Sequence, residues 1–183
     1  ISPRDFLFSS REFEAMELEF FVHPDKTGEC LFYDEIKDVN FQLLSVKDQE
    51  GKKEHTSVKF SDLVDTKICT QWHVYWLAKC YLWFVDLGVR AENWRMREHR
   101  PKELAQYAGA CLDIEYKFPF GWGEICGNAD RKQYDLTQHG KGSGKEISIY
   151  DDESKQKVVP YVASEPAFGV ERAFLTFLFD AYN

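Results

Sequence analysis

The sequence predicts an α+β fold, an antiparallel β-sheet flanked by helices. Three observations carry that prediction. Stretches in which apolar and polar residues alternate recur along the chain. Some of these stretches follow one another closely enough to pair as hairpins. Two longer stretches instead carry apolar residues at helical spacing, and helices segregated from hairpin-joined strands define the α+β class.

Along residues 6–22 the pattern reads as strand. From Phe13 to Val22 one face carries Phe13, Ala15, Glu17, Glu19 and Phe21, and the other Glu14, Met16, Leu18, Phe20 and Val22. The second face is mostly apolar and suits packing against helices; the first suits a ligand. His23-Pro24 ends the strand, because proline cannot donate to a ladder. Residues 25–68 are polar and less regular, and read as an insertion. Within them Phe41–Val46 and Thr56–Phe60 can pair as a hairpin with a long loop. Trp72, Trp76, Cys80, Trp83 and Leu87 then fall at helical spacing, with Gly88 as a C-terminal cap; such an aromatic stripe is expected in the core.

A second helix is predicted to start near Pro101 and to bring Leu104, Tyr107, Ala108 and Cys111 to one side. Strands follow at 112–118 and 121–127, with Trp122, Glu124 and Cys126 on one face and Gly123 and Gly127 permitting close approach. The stretch GKGSGK reads as an exposed flexible turn. Its sequence departs from a phosphate-binding loop, since His139 and Glu146 stand where glycine and a hydroxyl residue are required. VVPYVASEP is a further strand. Val170, Ala173, Phe174, Phe177, Leu178 and Ala181 then mark an amphipathic helix.

Composition narrows the function classes. Of 183 residues, 44% are hydrophobic and 16% aromatic, enough for a core and too many for a disordered chain. The richest apolar run, Trp72 to Val89, is broken by His73, Lys79 and Asp86, so no membrane span is expected. A net charge of −8 argues against holding nucleic acid by bulk electrostatics. A local patch stays open. Arg90, Arg95, Arg97, His99, Arg100 and Lys102, interleaved with Glu92, Glu98 and Glu103, read either as a solvated mixed-charge face or as a nucleic-acid contact. The five cysteines, at 30, 69, 80, 111 and 126, are odd in number and lack zinc spacing, which predicts buried thiols in a reducing compartment. The length suits one domain, and the start at Ile1 reads as an internal or processed piece.

Three segments, in order, carry a resemblance: SSREFEAMELEFFVHP, FPFGWGEICGNADRKQYDL and VVPYVASEPAFGVERAFLTFLFDAY, with LAQYAGACLDIEY between the first two. Together they resemble homodimeric class II glycyl-tRNA synthetases, the first segment being similar to the second half of motif 2 and the last to motif 3. The resemblance covers nearly all of the chain outside 25–68. It implies a partial class II catalytic core that lacks motif 1 and the anticodon-binding domain. It also implies a cytoplasmic enzyme that uses ATP and Mg²⁺ to join glycine to tRNA(Gly), working as a homodimer when whole.

By matching position, the resemblance gives ATP to Phe8, Arg11, Glu12, Phe13, Glu124, Ile125, Gly169, Val170, Glu171 and Arg172. Of these, Arg11, Glu124 and Arg172 are the catalytic candidates, and Glu124 the candidate for Mg²⁺. Phe13 and Arg172 would sandwich the adenine, for which an aromatic ring and a guanidinium plane are suited. Glycine would fall to Phe13, Glu14, Ala15, Met16, Glu17, Arg131, Glu165, Pro166, Ala167 and Gly169. Carboxylates hold its ammonium and Arg131 its carboxylate through charge-assisted hydrogen bonds. The chain departs from the family pattern at Ser9, Gln106 and Ala167. A fourth departure is one extra residue in VASEP, which is expected to push Glu165 out of register. These departures motivate a rival reading, a non-catalytic accessory or regulatory relative; a weaker third is a protein-interaction module.

Overall fold

A computed structural model describes residues 14–182. Its centre is a sheet of eight strands. In chain order these are β1 (Ala15–Glu17), β2 (Phe20–Val22), β3 (Asn40–Leu44), β4 (Thr56–Lys59), β5 (Trp94–Glu98), β6 (Ala110–Phe118) and β7 (Gly121–Asp130), with Tyr161–Gly169 as the last. The short strands β8 (Ile149–Asp151) and β9 (Gln156–Val158) form a separate pair, so Tyr161–Gly169 is β10. The order across the sheet is β1-β10-β7-β6-β5-β3-β4, with β2 also on β10. Every pairing is antiparallel except that of β3 with β5. The expected α+β class and antiparallel sheet are therefore found.

The long helix α4, below, and the last helix cover one face of the sheet. The chain's helices are α1 (Tyr33–Ile36), α2 (Val46–Glu50), α3 (Phe60–Asp65), α4 (Gln71–Asp86), α5 (Tyr134–Ser143) and α6 (Val170–Tyr182). Thr70 caps α4 by accepting the His73 N–H at 3.3 Å. Gly88, at φ +97°, ends it where a side chain would be strained. The core is Val74, Leu77, Ala78, Tyr81 and Phe84 of α4 packed on Trp94, Met96, Leu112, Ile114 and Tyr116 of β5 and β6. Ala173 joins from α6, and Phe177 packs against Phe84 with ring centroids 5.5 Å apart and planes tilted by 34°.

Several expectations change. The described part of the predicted strand, 14–22, holds two short strands rather than one; both pair with β10, and Leu18 still donates its N–H to Pro166 at 3.1 Å between them. The predicted hairpin at 41–46 and 56–60 forms as β3 and β4, but residues 25–68 are not peripheral. Ile36, Phe41, Leu43, Phe60 and Leu63 belong to the core, and the Phe41 and Phe60 rings stack at 4.3 Å. No helix starts at Pro101; residues 101–107 form turns. GKGSGK supplies the last turns of α5 and its left-handed cap, Gly144, instead of a free loop.

Two helices bury other faces than their patterns suggested. In α4 the predicted stripe is buried at Cys80 and half-buried at Trp72 and Trp76, but Trp83 and the capping Leu87 are exposed, 44% and 56% respectively. In α6, Ala173, Thr176 and Asp180 face inward, while Phe174 and Leu178 are exposed. Asp180 explains the choice. Its carboxylate accepts from the Arg90 backbone N–H at 3.0 Å, Arg90 Nε at 3.3 Å, Asn93 Nδ2 at 2.7 Å and the Tyr116 hydroxyl at 2.8 Å. Burial alone would raise its pKa, but these donors outweigh burial and lower it.

Two measurements check this account. Phe41→Ala should cost about 3–5 kcal/mol in denaturant unfolding, the range for a large ring lost from a core, if 25–68 is integral. A lowered carboxyl pKa lends stability that is full above the unfolded value and lost as pH falls through the folded one. Asp180→Asn should therefore lower stability at neutral pH by about 1–3 kcal/mol, the scale for leaving buried donors unmet. Its deficit against the parent should close as pH falls below the ordinary aspartate value of 3.8.

Candidate functional site

Alternation along the strands gives the sheet a second face, opposite the helices, of a different chemistry. Leu112, Ile114 and Tyr116 turn to the core, so Cys111, Asp113 and Glu115 turn away from it. Trp94 and Met96 likewise leave Arg95 and Arg97 on the polar face, opposite Glu115 and Asp113 in register. On β7 an extra residue, Ile125, bulges between Cys126 and Glu124. Ile125 and Cys126 both go into the core, and Glu124 is returned to the polar face opposite Glu115; re-aiming a side chain is what a bulge does.

The next strands continue the pattern. Gly127 pairs with Ala167 and Ala129 with Glu165, and on the far side Ala167 pairs with Glu17 and Gly169 with Ala15. The face thus has a floor of small residues, Gly127, Ala129, Ala167 and Ala15, bordered by Glu17, Glu165 and Glu124. A Cβ on Gly127 would stand 3.6 Å from a Glu124 carboxylate oxygen and 3.7 Å from one of Asp113.

Arg131 follows the end of β7 and ion-pairs with Glu165 of β10. Its Nε donates to Asp135 at 2.8 Å, and its guanidinium lies over the Tyr107 ring at 4.1 Å. Burial raises the Glu165 pKa against the pull of Arg131, and the neighbouring Glu19 and Glu17 carboxylates add to the rise. At the other end of the floor Arg172 of α6 donates to the Glu124 carbonyl at 3.0 Å and lies 3.6 Å from its carboxylate. The stem of Arg172 folds over Gly169, where a Cβ would come within 3.0 Å of its Cδ. Glu171 accepts the Glu14 N–H at 3.1 Å, tying the start of α6 to the residue before β1. Burial also raises the Glu124 pKa, helped by Asp113 and opposed by Arg172.

Of the residues named from sequence, Phe8, Arg11, Glu12 and Phe13 lie outside the described residues. Glu14, Ala15, Glu17, Glu124, Arg131, Glu165, Ala167, Gly169, Glu171 and Arg172 are gathered along this face or at its edge. Met16, Ile125 and Pro166 are not. Met16 and Pro166 turn to the opposite face, where they line an apolar cavity of about 320 Å³ with Trp76 and Trp83, and Ile125 is buried in the core. Val170 begins α6, its N–H bonded to the Glu14 carbonyl at 2.9 Å.

The extra residue in VASEP does not shift Glu165 out of register with β7. Pairing with β7 keeps one register from Lys132↔Val162 through Glu165↔Ala129 to Phe168↔Cys126. The slip falls between Val162 and Ser164 on the side facing β2.

Sequence reasoning missed Asp113, Glu115 and the role of Arg95 and Arg97. Arg95 and Arg97 are taken up by carboxylates, whereas Arg90 and Arg100 of the same patch, 43% and 52% exposed, keep the mixed-charge solvated reading. Arg95 donates to Glu115 at 2.6 Å with side chains only 15% and 10% exposed, and Arg97 binds Glu103 at 3.1 Å. Alternation within WRMRE and CLDIEY is the signal that places them. His99 contacts Asp113 at 2.7 Å, and hydrogen bonds to Asp113 and then Cys111 push its pKa up to about 10. Below the floor, buried His73 lies 3.2 Å from the Asn128 carbonyl, and Ser164 donates to the Asn128 side chain at 2.7 Å. Burial pulls His73 down to about 4, so it is a neutral imidazole donating to that carbonyl.

Comparison with known proteins leads from this site to ligases that act on tRNA. The relatives are, in particular, glycine–tRNA ligases. Over 183 residues the chain is 39% identical to that of Clostridium beijerinckii, 39% to that of Lachnospira eligens and 37% to that of Acetivibrio thermocellus. Each match covers 100% of this chain and 30% of the relative, so the chain spans about 30% of the length of the curated relatives it matches. The resemblance read from the three segments holds, and it extends through 25–68 as well. No protein-family model matches the chain. No helix among the described residues is long and apolar enough to cross a membrane.

Proposed function

We propose that this chain carries the glycine-activating site of a class II glycine–tRNA ligase. The observation that supports it most is the small-residue floor with Glu17, Glu165 and Arg131 at one end and Glu124 with Arg172 at the other. An amino acid without a side chain has only an ammonium and a carboxylate to be recognised. Glu17 and Glu165 supply acceptors for the first. The N–H groups of Arg131 beyond those given to Asp135 and Glu165 supply donors for the second. A larger amino acid is excluded by the close β7–β10 backbone rather than by a specific contact, because a clash with a methyl group is easily arranged.

In this reading a glycine carboxylate oxygen attacks the α-phosphorus of ATP; the bond to the β-phosphate bridging oxygen breaks, and pyrophosphate leaves. The terminal hydroxyl of tRNA(Gly) then attacks the glycyl carbonyl carbon, and AMP leaves with the bonding pair as the hydroxyl gives up its proton. The protein's part is to hold reactants in line and to balance charge. Arg172, laid over Gly169 and held by the Glu124 carbonyl, presents a guanidinium plane for one face of the adenine. Glu124 stands opposite Glu115 on a face also bearing Asp113, a carboxylate chemistry that suits a hard dication. Glu124 and Glu115 are the residues that would hold Mg²⁺, which supplies charge neutralisation on the phosphates. A cytoplasmic homodimer with tRNA(Gly) as partner belongs to the same reading through the family resemblance.

The test is calorimetric titration with a non-hydrolysable glycyl-adenylate analogue, with the alanyl analogue as control. Selective binding of the glycyl compound is expected. Glu17→Ala should weaken it by about 10-fold or more, the scale of one charge-assisted hydrogen bond, with circular dichroism unchanged. Ala167 places a methyl where the family carries a serine hydroxyl, which favours the rival reading of a non-catalytic relative. A folded chain that binds neither analogue would support that rival.

A further inference from the structure

Sequence spacing shows no metal motif, yet folding assembles one set of donors at the β5 end of the polar face. Among the described residues, His99, Cys111 and Asp113 bring an imidazole nitrogen, a sulfur and a carboxylate oxygen within 4.8 Å of one another. The geometry points to a divalent transition-metal site here, of the kind that takes Zn²⁺; it adjoins the nucleotide positions proposed above, since Asp113 and Glu124 flank Gly127, but it rests on these three donors and not on that reading.

Two strands build it. Cys111 and Asp113 are two residues apart on β6, hence on one face. His99 follows the last residue of β5, and its backbone N–H donates to the Cys111 carbonyl at 3.0 Å, fixing where its ring begins. Nε2 of that ring lies 2.7 Å from an Asp113 oxygen, with the Asp113 side chain only 9% exposed. In a tetrahedral zinc site with metal–ligand bonds of about 2.0–2.3 Å, ligand atoms sit roughly 3.3–3.7 Å apart. The His99–Asp113 pair, at 2.7 Å, has therefore to open to admit the ion.

The donor set selects the ion. Thiolate with imidazole disfavours Mg²⁺ and Ca²⁺ and suits Zn²⁺ or its spectroscopic substitute Co²⁺. A cavity of about 330 Å³, lined by Lys67, Glu98, Pro101 and Leu104 together with His99 and Cys111, leaves room for water as a fourth ligand. Arg97 lies 3.7 Å from the same Asp113 oxygen and opposes a cation, but its charge is shared with Glu103 at 3.1 Å and Glu115 at 3.9 Å. Bound there, the ion would clamp the end of β5 to the start of β6.

Co²⁺ titration of the full chain tests the site. One equivalent should give intense visible bands of four-coordinate cobalt and a thiolate-to-cobalt charge-transfer band in the near ultraviolet, both removed by Zn²⁺. Cys111→Ser should abolish the charge-transfer band. His99→Asn, folded by circular dichroism, should weaken Zn²⁺ binding at least about 10–100-fold by calorimetry. His139→Asn, at an exposed histidine away from the cluster, should change neither. Absence of the charge-transfer band in the parent, or its persistence in Cys111→Ser, overturns the proposal.

Discussion

The antiparallel pairing of β10 with β7 is the contact on which the arrangement rests. It runs in one register from Lys132 to Cys126, and that register decides which side chain of each strand meets the helices and which lies on the polar face. Pro166 and Phe168 are sent toward α4, and Glu165 and Ala167 to the polar face. β10 also carries β1 and β2 on its free edge and passes directly from Gly169 into α6. Glu17, Glu165 and Arg172 are distant in sequence, but each takes its place from this one strand. His73 and Ser164 meet at Asn128 beneath it, so α4 is hydrogen-bonded as well as packed to the floor.

The fold class and the polar character of the site were legible wherever a pattern is local. Period-two alternation identified β6, β7 and β10, and helical spacing identified α4 and α6. Which face of a helix is buried was not legible, because α4 is apolar nearly all round. Trp72, Trp76 and Trp83 form as good a stripe as Val74, Leu77 and Tyr81, and only the sheet decides between them. The buried face includes His73, which no hydrophobic pattern would choose. In α6 the deciding residue is Asp180, an acid whose burial depends on donors 64 to 90 residues away.

Non-local pairing explains the remaining misreadings. Residues 25–68 look polar because their apolar residues are scattered, yet β3, paired with β5, carries Phe41 and Leu43 into the core, and α3 following β4 brings Phe60 and Leu63 there. GKGSGK has the composition of a turn, but it follows Tyr134-Asp135-Leu136, whose helix is anchored by the Asp135–Arg131 ion pair. On the polar face, charge is spent internally. Arg95, Arg97, Arg131 and Arg172 each lie against a carboxylate, so a charged ligand exchanges one partner for another instead of meeting a bare ion. That arrangement avoids the cost of burying charge alone and keeps the groups oriented.

The two bulges have a consequence for how such a chain can change over generations. Ile125 on β7 and the slip between Val162 and Ser164 on β10 each take up a residue without moving Glu124 or Glu165. A codon gained or lost at either place is absorbed by a local kink at the strand. The geometry of the polar face is insulated from such length drift, so counting residues between these segments is a poor guide to whether descendants of this sequence have kept that face.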